Sequence, residues 1–215
     1  MIGQKTMFVR TAGCDYRCSW CDSAFTWDGS EKPEMMEPAD VIDRLFQEGG
    51  TEFNHVTISG GNPALIGKSM GVLIDLLHSW RIRVGLETQG SRWQDWFPKV
   101  DDLVISPKPP SSGMETDFDI LTGILNRLTG GHSLKVVVFD DRDFSYARKV
   151  HRMFPGVPFF LSVGNDRVNE TGDIVPALLG RLEWLTEKVI EDPEMNNARV
   201  LPQLHALLWG NRRGV

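Results

Sequence analysis

"MFVRTAGCDYRCSWCDS", Met7 to Ser23, places a short strand-like run directly before a loop holding Cys14, Cys18 and Cys21, which are all 3 cysteines of the chain. With three and then two residues between them, three thiolates of one short loop can point to a common centre. Structural zinc normally takes four ligands from two separate segments, and no histidine lies at ligand spacing here, so only a distant His55 or His78 would complete such a site. An iron-sulfur cluster held by four cysteines lacks its fourth thiol. A cubane held by three protein ligands instead leaves one iron open for a substrate or cofactor.

Working outward, runs rich in branched residues recur: HVTIS, VGLET, LVIS, LKVVVF, VPFFLSV and RVLPQ join MFVRT as predicted strands. Stretches of helical spacing lie between several of them. Val41, Ile42, Leu45 and Phe46 follow Pro38 and end at Gly49-Gly50; Met70, Leu73, Ile74 and Leu77 form a second stripe. Phe118, Leu121, Leu125 and Leu128 form a third, and Leu178, Leu179, Leu182 and Leu185 a late fourth. The alternation predicts an α/β fold with a parallel sheet. Loops leaving the carboxyl ends of such strands converge on one rim. The polar and glycine-rich loops GCDYRCSWCDS, GGNP, TQG, PKPPS and GND all follow strands, so they are expected to form one site.

A chain of 215 residues with 41% hydrophobic and 24% charged residues suits a globular protein, and no linker, repeat or low-complexity tract divides it. Residues 1–215 are therefore expected to be a single domain. The formal charge of -6 and pI near 5.4 give no electrostatic footprint for phosphate backbones, which argues against direct nucleic-acid partners. No apolar run approaches a bilayer span and the first residues lack the pattern of a signal peptide, which predicts a cytoplasmic address without a membrane partner. In that reducing setting the thiols are expected to serve ligation or catalysis rather than disulfides.

The cysteine loop resembles the C-x-x-x-C-x-x-C signature of the radical S-adenosylmethionine (SAM) superfamily, including the aromatic Trp20 before the last cysteine. By that resemblance Cys14, Cys18 and Cys21 hold a 4Fe-4S cluster whose fourth iron binds SAM. SGGNP, Ser59 to Pro63, looks like the superfamily's Gly-Gly-Glu-Pro motif at the SAM amino group. Asn62 replaces the usual acid there, so the contact is expected to lack charge assistance.

VRTAGCDYRCSWCDSAFTW, HVTISGGNP, ETQG, ISPKPPS and LPQLHALLWGNRRGV together resemble the 7-carboxy-7-deazaguanine synthase family, bacillus-type branch, over essentially the whole chain. The resemblance implies a shortened partial (β/α) barrel of the radical SAM type, a homodimer, and a flavodoxin-type reductant. It implies conversion of 6-carboxy-5,6,7,8-tetrahydropterin to 7-carboxy-7-deazaguanine with loss of ammonia, on the route to queuosine, assisted by magnesium. The family normally begins with a further strand and a pterin-contacting loop, and Met1-Ile2-Gly3-Gln4 starts after that point.

Residue by residue, the resemblance puts Trp20, Cys21, Asp22, Gly61, Ser106, Pro107, Lys108 and Asn165 at the cofactor. It puts Arg10, Ser59 and the terminal Val215 at the substrate, and Ser23 on magnesium. No side chain is assigned the chemistry itself, which belongs to the cluster and SAM. Three alternatives remain open at this point: a glycyl-radical-type activating enzyme sharing the cysteine spacing, a non-enzymatic metal-binding or electron-transfer module, and a short, enzymatically inactive paralogue that partners a full-length copy. Glu87 and Gln89 are read as lining the SAM pocket or bonding within their own turn. Trp93 and Trp96 are read as packing or dimer contacts.

Overall fold

Seven strands run in chain order across one sheet, and every neighbouring pair is parallel. They are β1 (Met7–Thr11), β2 (His55–Gly60), β3 (Arg83–Thr88), β4 (Asp102–Ile105), β5 (His132–Val138), β6 (Phe159–Val163) and β7 (Ala198–Leu201). The computed structural model describes residues 2–168, 170 and 172–212, so Val215 lies outside the described residues. β1 and β7 are the two edges, and the sheet stays open. This is the parallel sheet of a partial (β/α) barrel, as the sequence predicts.

The crossovers are the helices α1 (Pro38–Gly49), α2 (Lys68–Ser79), α3 (Phe118–Leu125), α4 (Asp141–Met153) and α5 (Val175–Glu191), with α6 (Leu204–Trp209) after the last strand. Four correspond to the predicted stripes. The fifth, α4, has a thin apolar stripe of Phe144, Ala147 and Val150 set among charged residues, which hides it in a composition reading. Its start is fixed chemically, because the Asp140 carboxylate accepts hydrogen bonds from the Arg142 and Asp143 N–H groups. β3 and β4 are joined by a loop, residues 89–101, that holds only a short 3-10 helix (Phe97–Lys99) instead of an α-helix. There the Trp96 and Phe97 rings meet edge-on at 4.9 Å and bury themselves beside α2, so Trp96 is packing.

One face of the sheet carries the core. Ile58, Leu86, Ile105, Leu134 and Leu161 are fully enclosed between strands and helices. Each such side chain contributes roughly 1.5–3 kcal/mol of burial free energy. The alternate residues point the other way. Phe8, Arg10, Thr57, Ser59, Glu87, Val104 and Lys135 therefore form a second, incompletely covered face that is largely polar.

Candidate active site

All parallel strands end at the same rim, and the loop that follows β1 is seated there backbone to backbone. Gly61 N donates to Thr11 O at 2.9 Å and Asn62 N to Gly13 O at 2.8 Å. The fit requires glycine: a Cβ on Gly61 would lie 2.0 Å from Gly13 O, and on Gly60, which has φ +112°, it would lie 2.5 Å from Thr11 O.

Asp15 fastens the first half of the cysteine loop. Its Oδ1 accepts from Asn62 Nδ2 at 2.9 Å and from Gln89 Nε2, and its Oδ2 accepts from Ser91 Oγ at 2.6 Å. Asn62 is fully buried, and its own Oδ1 accepts from Thr88 Oγ1 at 2.7 Å and from Ala64 N–H at 3.1 Å. Its amide also reaches Ser91 Oγ at 3.0 Å. Every hydrogen-bonding direction of the Asn62 side chain is thus taken by protein, and it presents nothing to a ligand. Gln89 extends from the Asp15 carboxylate to Cys14 Sγ, 3.6 Å away.

The second half is fastened to the loop after β4. Ser19 N donates to Ser112 O at 3.0 Å, Ser19 Oγ to Ser111 O at 2.8 Å, and Tyr16 Oη to Glu115 O at 2.8 Å. Trp20 Nε1 donates to Ser111 Oγ at 3.0 Å while its ring lies 5.0 Å from that of Phe139. The partner loop is itself anchored, since buried Asp143 accepts from Ser111 N–H and Phe139 N–H. The Lys108 ammonium stands 5.9 Å from the Trp20 ring and donates to Ser106 Oγ, so Trp20, Ser106, Pro107 and Lys108 share one wall.

Burial pushes the Cys18 thiol up to about 11, with Lys108 opposing the shift and the neighbouring thiols adding to it. Burial raises Cys21 as well. The three thiols are free and half-buried, close enough to influence one another. Among the described residues no three His, Cys, Asp or Glu side chains are grouped tightly enough to hold a metal ion as they stand.

Below this rim, Arg10 of β1 is in register with Ser59 of β2, and Ile58 is in register with Leu86, which sets Glu87 beside Ser59 on the polar face. Glu87 forms an ion pair with Lys135 across β4. Burial alone would raise the Glu87 carboxyl, but the Lys135 ammonium, with Lys108 behind it, holds it below the ordinary carboxylate range. Arg10 is exposed over the Phe8 ring at 5.5 Å, with no ion pair among the described residues. Ser23 Oγ donates to Asp22 Oδ1 at 3.0 Å, giving two adjacent oxygens at the loop's end. Asn165 is engaged by Asn211 at 2.9 Å and by the Arg167 N–H. Its neighbour Gly164 packs on the Phe139 ring, which also meets Trp20.

The structure thus gathers Cys14, Cys18, Trp20, Cys21, Gly61, Ser106, Pro107 and Lys108 at one rim, with Arg10 and Ser59 on the face beneath. It adds residues that sequence reasoning passed over: Asp15, Ser91 and Ser111 in the fastenings, and Lys135 as the partner of Glu87. The signal available for Lys135 was a lone charge inside the apolar run LKVVVF, a position that needs a partner when the strand is covered.

Comparison with known proteins matches residues 8–138, more than half the chain, to the Radical SAM superfamily. The 7-carboxy-7-deazaguanine synthase of Bacillus cereus is 57% identical over 220 residues, covering 100% of this chain and 92% of that protein. The enzyme of the same name from Bacillus subtilis (strain 168) is 56% identical over 224 residues, with the same coverage. Among solved structures, QueE from Escherichia coli superimposes with a TM-score of 0.63 at 21% identity, covering 91% of this chain and 84% of that one, a likeness of fold. Streptococcus suis SuiB bound to S-adenosylmethionine gives 0.63 at 15% identity over 94% of this chain and 51% of that one.

Proposed function

The chain belongs to the radical SAM superfamily and, within it, to the 7-carboxy-7-deazaguanine synthase family, and from that premise we propose that it converts 6-carboxy-5,6,7,8-tetrahydropterin to 7-carboxy-7-deazaguanine with loss of ammonia. Membership implies a 4Fe-4S cluster and SAM. The observation that carries the reading is the cysteine loop, fastened on both sides at the rim directly above a polar strand face. The donor set fits the cluster: three free thiols of one loop, with no fourth cysteine anywhere in the chain.

When bound, the cluster and SAM supply one electron and a carbon-centred radical able to remove a hydrogen atom from unactivated carbon. The chain's own residues bind, orient and enclose. Cys14, Cys18 and Cys21 hold the cluster, and Trp20, Asp22, Gly61, Ser106, Pro107, Lys108 and Asn165 enclose SAM. Arg10 offers a planar, permanently charged fork for the substrate carboxylate, and its lack of a protein counter-ion among the described residues suits that task. Ser59 is its register neighbour, and Val215, outside the described residues, is assigned to the substrate by the family resemblance alone. Fixed charges of both signs at Glu87 and Lys135 orient a flat, polar bicycle against the strand face. Ser23, with Asp22 beside it, supplies the hard oxygens magnesium requires.

We read residues 1–215 as one radical SAM domain that works as a cytoplasmic homodimer with a flavodoxin-type reductant. No helix of the described residues is long and apolar enough to cross a membrane.

The test is anaerobic. Cluster-reconstituted protein is mixed with SAM, magnesium, a chemical reductant and the carboxytetrahydropterin, and products are followed by mass spectrometry. Appearance of 7-carboxy-7-deazaguanine supports the reading. Accumulation of 5'-deoxyadenosine and methionine alone, in Arg10→Lys as in the parent chain, overturns the substrate assignment.

A further inference from the structure

Asp15 is a carboxylate without a cation. Three neutral groups, from Asn62, Gln89 and Ser91, donate to it, and it has no ion pair among the described residues. Arg17, two positions along, is turned away: its guanidinium bonds the Cys14 and Tyr16 carbonyls and lies 4.7 Å from the Trp27 ring. Neutral donors fix a carboxylate in place without cancelling its charge. A carboxylate offers about four acceptor directions, and three are used, leaving one open.

The position of that charge gives it a use. One amide nitrogen, Gln89 Nε2, donates to both Asp15 Oδ1 and Cys14 Sγ, so a single shared donor links the carboxylate to a cluster thiol. The backbone puts it in solvent reach, whereas Asn62 behind it is fully buried and saturated. SAM carries an amino group, whose N–H bonds favour an ionised acceptor, and a sulfonium. In a ligand pocket beside Cys14, the neutral amide of Asn62 supplies no negative charge and no free acceptor for them.

We infer that Asp15 is the residue that accepts a hydrogen bond from the amino group of SAM in this chain, with Asn62, Gln89 and Ser91 as the residues that position it. The acid expected in the Gly-Gly-x-Pro loop stands across a hydrogen bond, in the cysteine loop. The assignment rests on the radical SAM reading above.

The experiment compares SAM dissociation constants, by equilibrium dialysis, on cluster-loaded parent chain, Asp15→Asn and Asp15→Glu, together with the change in the reduced cluster's electron paramagnetic resonance spectrum on SAM addition. Asp15→Asn removes charge and keeps the fastening, since its oxygen accepts from Asn62 and Gln89 and the Ser91 hydroxyl turns to accept. The expected result is an affinity loss of about tenfold or more in Asp15→Asn, at unchanged iron content, and about threefold or less in Asp15→Glu. An Asp15→Asn chain that loads iron and binds SAM as tightly as the parent overturns the assignment. If that variant loads no iron, Asp15→Glu decides: a loaded chain that binds SAM within about threefold of the parent supports the assignment, and a loaded chain weakened about tenfold or more overturns it. A parent chain that takes up the cluster and binds no SAM is a different failure, that of the radical SAM reading itself.

Discussion

The cysteine loop is fastened at both ends, and the two fastenings differ in kind. At the Asp15 end one carboxylate gathers side chains from the loops after β2 and β3, and each donor must be a particular residue. At the Trp20 end the bonds run mostly to the carbonyls of Ser111, Ser112 and Glu115, which any residue supplies, with an aromatic contact added. The first is exacting and sets a charge; the second is tolerant and sets a distance. A radical enzyme needs both: a loop held still by its backbone, and a fixed electrostatic feature beside the metal.

The comparison has a common premise, that both ends serve the thiols between them. Cys18→Ala is expected to abolish turnover and the broad visible absorption of the reconstituted cluster, and a variant that kept both would remove the loop from the chemistry. Gly61→Ala pushes a methyl into Gly13 O, backbone against backbone. A cost of about 3 kcal/mol is expected, which thermal denaturation would read as a Tm loss of about 10 °C for a chain of this size.

The next pair separates the two ends. Asn62→Ala strands the buried Thr88 hydroxyl and takes one donor from Asp15, so a loss of about 2 kcal/mol is expected in urea denaturation. Ser111→Ala removes only the acceptor of Trp20 Nε1 and should cost less than about 1 kcal/mol. Equal losses would erase the distinction between exacting and tolerant fastening.

Two smaller effects follow from protonation. Glu87 has its folded carboxyl lowered, so the pair with Lys135 contributes fully above the unfolded carboxyl's pKa and is lost as pH falls through the folded one. Glu87→Gln should therefore flatten the acid side of the stability profile, measured by denaturation at successively lower pH. The smallest effect concerns the two tyrosines, one at the tolerant end and one beneath it. Burial raises both, Tyr146 to about 12, while the Thr116 hydroxyl bonded to it works the other way. In the folded protein at about pH 10 the tyrosinate absorbance is expected to stay below that of free phenols, with Tyr146 contributing almost none; stability from these phenols, complete below the unfolded value, fades as pH rises through the folded ones. A half-maximal tyrosinate signal at about pH 10, as free phenols give, would place both rings in solvent.

Much of this was legible from spacing. Ile58, Leu86 and Leu134 sit in runs that alternate or remain apolar throughout, and such runs specify strands because one face must be buried. The three thiols declared themselves by number and spacing. What sequence could not give is pairing across loops: nothing local links Asp15 to Gln89 and Ser91, which meet only because β1, β2 and β3 lie side by side. Asn62 shows the same limit. Its place in SGGNP suggests a ligand contact, while its burial and four protein partners depend on loops contributed by two other strands. The helix α4 escaped because Asp141, Arg142, Asp143, Arg148 and Lys149 dilute a stripe only three apolar residues deep.

The serial strand order has a further consequence, for the time course of synthesis. Each strand's sheet neighbour is the one made just before it, so the sheet can be laid down in the order in which the chain leaves the ribosome. The thiol loop emerges before its partners: Ser91 is translated long after it, and Ser111 and Glu115 later still. For that interval the nascent chain carries three untethered thiols, open to oxidants and to adventitious metals. Iron delivered too early would meet a loop with neither fastening in place.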